Sequence, residues 1–64
     1  MKTITYSITV SAIGYESTEL TVCAETIQSA RKHEYNAISK WLEHNNIDND
    51  SRGLAFVNIE RIKD

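Results

Sequence analysis

The sequence is short of most things that would announce a function. It holds one cysteine, Cys23, so no disulfide can form within the chain. Its two histidines, His33 and His44, do not cluster with that cysteine in any spacing that suits a structural metal. At 11 positions apart they share a helical face but stand about 16 Å apart along the axis, too far for one ion. Both therefore read as solvated side chains, and no metal or cofactor is expected. Two glycines leave no phosphate-cradling loop, and no Gly-x-Ser-x-Gly turn is present. No apolar run approaches the ~18 residues needed to cross a bilayer. There is no basic surplus either: 7 basic against 9 acidic residues give a net charge of −2, which disfavours general nucleic-acid binding. No proline, repeat or low-complexity tract interrupts the chain, which reads as one small domain over residues 1–64.

A chain of this length buries roughly 60% of its unfolded surface and is marginal alone. Without a disulfide or metal staple, its stability has to come from an economical core or from a partner. The start, MKTITYSITV, alternates polar and apolar residues where a secretory signal would be continuously apolar. With one unpaired cysteine, this points to a reducing, cytoplasmic setting.

What is present is patterning. Ile4, Tyr6, Ile8, Val10 and Ala12 alternate with Thr3, Thr5, Ser7, Thr9 and Ser11, the period of a half-buried strand. Gly14 supplies a turn, and ELTVCA alternates again with Leu20, Val22 and Ala24 inward. The period then changes. Thr26 is placed to cap a helix from about Ile27 to about His44, with Ile27, Ala30, Ile38, Trp41 and Leu42 on one stripe. NNIDNDSRG is a loop, with Ile47 as a plug beneath it, and from Leu54 the chain is extended again. The expected fold is α+β, in the order β-β-α-β: a three-stranded antiparallel sheet of order 2-1-3, with one helix packed on one face.

Candidate sites follow from that layout. Cys23 has no activating base nearby and reads as an inert thiol. A chain this small offers no deep water-excluding pocket, so no catalytic residue is assigned and an enzyme is not expected. Glu34 falls at the centre of the helical stripe beside Arg31, and pairing with Arg31 or Arg61 would relieve the cost of a buried carboxylate. Thr3, Thr5, Ser7, Thr9, Ser11, Glu19 and Thr21 make a hydroxyl-rich face with no covering element. Such a face tolerates solvent, and its edge strands could add to a partner's sheet. In VNIERIKD, Arg61 and Lys63 continue the inward parity beyond the helix's cover, and Lys2 starts the neighbouring strand. These three make a basic corner suited to an acidic partner. The partner-binding candidates are thus Lys2, Arg31, Glu34, Arg61 and Lys63.

Two stretches, TVCAETIQSA at the strand-to-helix junction and VNIERIK near the end, resemble the small host-RNA-polymerase inhibitors of T-odd lytic coliphages, which are of this length and have a β-β-α-β fold. The first carries an Ala-Glu-Thr entry to the helix. The second carries a strand ending in two basic residues two apart. The resemblance implies a non-catalytic inhibitor acting in the host cytoplasm, with Arg61 and Lys63 gripping the polymerase. This chain departs from the pattern in a longer helix and loop, in lacking a polar N-terminal arm, and in carrying Lys63 for an arginine, which loses the guanidinium fork. A host defence nuclease or another regulator is the alternative target. Nucleic-acid stacking on Tyr6 or Phe56 and a homodimer through the edge strands are the further readings.

Overall fold

The computed structural model describes residues 2–62. Three strands, β1 (Ile4–Ser11), β2 (Thr18–Ala24) and β3 (Phe56–Arg61), form one antiparallel sheet of order β2-β1-β3. Between β2 and β3 the chain runs through α1 (Ile27–Arg31), α2 (Glu34–Asn45) and a short 3-10 helix (Asn49–Leu54). The α+β arrangement and strand order are those the alternation predicts. β1 is central, with Ile8 opposite both Leu20 and Ile59.

The strands meet at a turn that uses Gly14 at φ +88, where a side chain would be strained. The Tyr15 N–H donates to the Ala12 carbonyl across it. Thr26 caps α1, its hydroxyl accepting the Ser29 N–H at 3.1 Å. The helical segment is not continuous. At Lys32 and His33 the N–H groups bond back three residues, to Ser29 and Ala30, instead of four. That turn breaks the phase carried through from Ile27. Ile27 is 44% exposed, whereas Ala37, beside Ala30 on the helical wheel but not named on the stripe, is buried. The interruption also places Glu34 in the first turn of α2 and only half-buried. A carboxylate is favoured there by the helix dipole, so it needs no ion-pair partner. Among the described residues no salt bridge joins it to Arg31 or Arg61.

α2 ends with Asn46 in the left-handed region (φ 56), which asparagine tolerates better than most residues. The Asn46 N–H bonds the Glu43 carbonyl and the Ile47 N–H bonds the Leu42 carbonyl, closing the helix with paired end bonds. Ile47 then packs against the core. The segment read as loop after it contains the 3-10 helix, which extends to Leu54, so the last strand starts at Phe56 rather than Leu54.

The core lies between the helices and the inward faces of β1 and β2: Tyr6, Ile8, Val10, Val22, Ala24, Ala30, Ala37, Trp41 and Leu42. Trp41 is its centre at 0% exposure, and Tyr15 meets it edge-to-face with ring centroids 5.6 Å apart. α1 packs on β2, and α2 on β1 and β2. The helical layer is therefore offset from β3, whose inward Val57 and Ile59 are only half-buried.

Replacing the largest fully buried side chain should be decisive in so small a core. Trp41→Ala is expected to cost about 3–5 kcal/mol, and in a domain with only about 5 kcal/mol to lose this leaves the chain largely unfolded. Urea denaturation followed by circular dichroism checks it; a midpoint shift no larger than that of a surface substitution would contradict this account of the core.

Candidate functional site: the free edge and two ends of β3

The hydrogen-bond pattern fixes which groups of β3 are free. In an antiparallel pair, bonded and non-bonded residue pairs alternate. The Ile62 N–H donates to the Thr5 carbonyl at 2.9 Å, so Thr5, Ser7, Thr9 and Ser11 direct their main-chain groups at β3. Their opposites Glu60, Asn58 and Phe56 reciprocate. Val57, Ile59 and Arg61 must then direct N–H and C=O away from the sheet, along an edge that no other element covers among the described residues.

The same alternation leaves the main-chain groups of Glu19, Thr21 and Cys23 on the outer edge of β2. There Lys40, exposed on α2, donates its Nζ to the Glu19 carbonyl at 2.7 Å. One edge is thus partly shielded by a lysine and the other is open.

At the N-terminal end of β3 lies a concentration of exposed apolar side chains. Ala12, Ile13, Tyr15, Gly53, Leu54 and Phe56 line a shallow cavity of ≈ 260 Å³. Ile13 is 95% exposed and Phe56 68%. The volume falls below the ~300 Å³ at which small-molecule pockets begin, and suits one large side chain. Two non-local ties build the walls. Asn45 clamps the hairpin turn to α2: its Oδ1 accepts the Glu16 N–H at 2.9 Å and its Nδ2 donates to the carbonyls of Glu16 and Trp41 at 3.0 Å each. His44, which stays exposed, adds a 2.7 Å hydrogen bond from Nε2 to the Glu16 carboxylate. Arg52 ties the 3-10 helix to α2. Its guanidinium lies 4.0 Å from the Tyr35 ring centroid and donates to Asn49 Oδ1 at 2.5 Å and Ser39 Oγ at 2.6 Å.

The opposite end of β3 carries the basic candidates. Arg61 is exposed and pairs across from Tyr6; Lys2, also exposed, precedes β1 at the same end of the sheet. Lys63 lies outside the described residues. Arg31 ends α1 on the β2 side and Glu34 opens α2, so the helical layer holds both, away from the β3 edge. The sequence signals did not find the cavity, because its lining comes from two separate turns.

The outer sheet face is uncovered, and it is acidic. Glu19 and Glu60 flank Ser7, which is only 7% exposed and donates to the Glu19 carboxylate at 2.6 Å. Thr5 and Cys23 lie side by side, Oγ1 to Sγ 3.9 Å. No basic side chain lies on these rows of the sheet. Tyr6 is buried, so it cannot stack on a base; Phe56 is exposed on this face opposite Ser11, on rows that carry no basic side chain to hold a phosphate. Among the described residues no three metal-capable side chains come together, and no helix is long and apolar enough to cross a membrane.

Comparison with family models, curated proteins and solved structures finds no match.

If Arg52 holds the cavity wall, Arg52→Ala should move the amide resonances of Leu54, Phe56 and Ile13 while costing only about 1 kcal/mol in stability. Two-dimensional NMR and denaturation measure both. Unchanged resonances at Leu54 would show that the wall stands without the arginine.

Proposed function

We propose that this chain is a non-catalytic binding protein that docks on another protein through the β3 side of its sheet. In its most concrete form it inhibits bacterial RNA polymerase in the host cytoplasm. The observation that carries the reading is the open edge of β3, with an apolar cavity at one end and exposed Arg61 at the other. An edge of this kind offers main-chain hydrogen bonds to an extended segment, and the side chains at its ends select among segments. Apolar exposure supplies affinity, since unpaired edge groups already bond water and gain little by exchange. The cation at the tip steers the encounter towards an acidic surface. The polymerase as target comes from the resemblance carried by VNIERIK, in which Arg61 and Lys63 are the gripping pair.

Binding to purified bacterial RNA polymerase and inhibition of promoter-directed transcription test the target. The wild-type chain is expected to bind and inhibit. Arg61→Glu with Lys63→Glu should abolish binding while leaving the circular dichroism spectrum unchanged. Retained binding by the double variant rejects the basic corner as the site. Absence of binding by the wild type rejects the polymerase, and capture from a bacterial lysate with mass spectrometry then decides between a defence nuclease and another regulator.

A further inference from the structure

The β3 edge has a self-complementary register, and we propose that it pairs with the β3 edge of a second copy, forming a continuous six-stranded antiparallel sheet about a two-fold axis at Ile59. The outward main-chain groups belong to Val57, Ile59 and Arg61, as the ladder with β1 requires. Antiparallel self-pairing must match these three among themselves. Centring on Ile59 matches all of them: Ile59 with Ile59, and Val57 with Arg61 in both directions. Centring on Arg61 instead opposes two guanidinium groups, and centring on Val57 carries Arg61 past the end of the partner strand.

The side chains favour the same register. On the helix-side face, Ile59 meets its counterpart, and the Arg61 stem lies along Val57 of the second copy. On the outer face, exposed Phe56 meets exposed Ile62, and Asn58 meets Glu60, an amide donor opposite a carboxylate. No like charges are opposed. There is also room. α2 sits over β1 and β2, so with strands ~4.8 Å apart the two helix axes would stand about 19 Å apart, well beyond the 8–10 Å of packed helices.

The pairing has a consequence for recognition. Within one chain, the apolar cavity and the Lys2–Arg61 end are separated by the length of β3, about 20 Å. Setting Phe56 opposite Ile62 brings the cavity of one copy beside the basic end of the other. Each dimer then carries two composite surfaces, apolar and cationic, that a single chain lacks. This inference goes beyond the docking reading because it needs no third molecule, and the two compete, since the edge that pairs with the second copy is the one an outside strand would use.

Sedimentation equilibrium of the full chain is expected to give twice the 7.3 kDa chain mass as concentration rises. Asn58 is exposed, so changing it should spare the fold. Asn58→Glu sets two carboxylate pairs in opposition and should weaken the dimer about tenfold, whereas Asn58→Lys should tighten it. In a Cys23→Ser background, Ile59→Cys should cross-link to itself under mild oxidation, and Val57→Cys, four positions out of register with its own copy, should not. A single-chain mass at every concentration overturns the proposal, as do equal cross-linking at 57 and 59 or an Asn58→Glu variant that associates like wild type. If the chain stays monomeric yet still binds polymerase, the dimer is rejected and the docking reading stands.

Discussion

The width of one helix against the width of three strands governs this molecule. Strands stand ~4.8 Å apart and a helix with its side chains is ~10 Å across, so a single helical layer shields about two strands. Trp41 decides which two. The indole is the largest fully buried side chain, and it closes the space between α2 and the inward residues of β1 and β2. Its Nε1–H has no acceptor among the described residues, a cost of about 1–3 kcal/mol. The bulk of the ring offsets that cost in a core where Ile8 and Val10 are the only other large side chains fully buried. With the layer anchored over β1 and β2, β3 is held to the molecule by its ladder with β1 and by the half-buried Val57 and Ile59. Its exposure is a direct result of where the tryptophan sits.

The two edges are consequently unlike. On β2, Lys40 reaches from α2 to the Glu19 carbonyl, possible only because the helix lies above that strand. The β3 edge has no helix above it, so nothing on α2 can supply an equivalent. Its own sequence contributes little protection: Glu60 projects on the outer face, Arg61 stands at the far end, and no proline blocks the N–H groups between. An edge left open in this way is a place for another strand.

The parity of the strands, their order and the capped helix start at Thr26 were legible in the sequence because each depends on neighbours within a few residues. The period-two run from Ile4 to Ala12 could not be mistaken for a helix, and Thr26 three positions before Ser29 is local chemistry. What escaped is non-local or depends on an interrupted phase. The bonds of Asn45 to Glu16 span 29 positions, and the stacking of Arg52 on Tyr35 spans 17. Neither leaves a trace in periodicity. The break at Lys32 and His33 carries no proline or glycine to mark it, so a stripe drawn through it placed Ile27 inward. The candidate site divides in the same way. Arg61 is visible as a charge out of place on an inward parity. The cavity is not visible, because Ile13 and Tyr15 belong to one turn and Leu54 to another, and only the fold brings them together.

The broad polar face and the narrow edge therefore differ in what they leave unfinished. On the face, the buried hydroxyl of Ser7 already has the Glu19 carboxylate, and Thr5 has Cys23 beside it. A partner covering this surface would have to remove two glutamates from water, at a cost that hydroxyl contacts repay poorly. Along the edge, each outward N–H and C=O bonds water at no expense, and exchanging that water for a partner strand is nearly neutral. The balance is tipped by apolar surface at about 25 cal/mol per Å², and the exposed apolar side chains Ile13, Leu54, Phe56 and Ile62 lie beside or at the ends of that strand. On the proposed reading, recognition belongs to the edge, with hydrogen bonds setting register and the apolar ends supplying affinity.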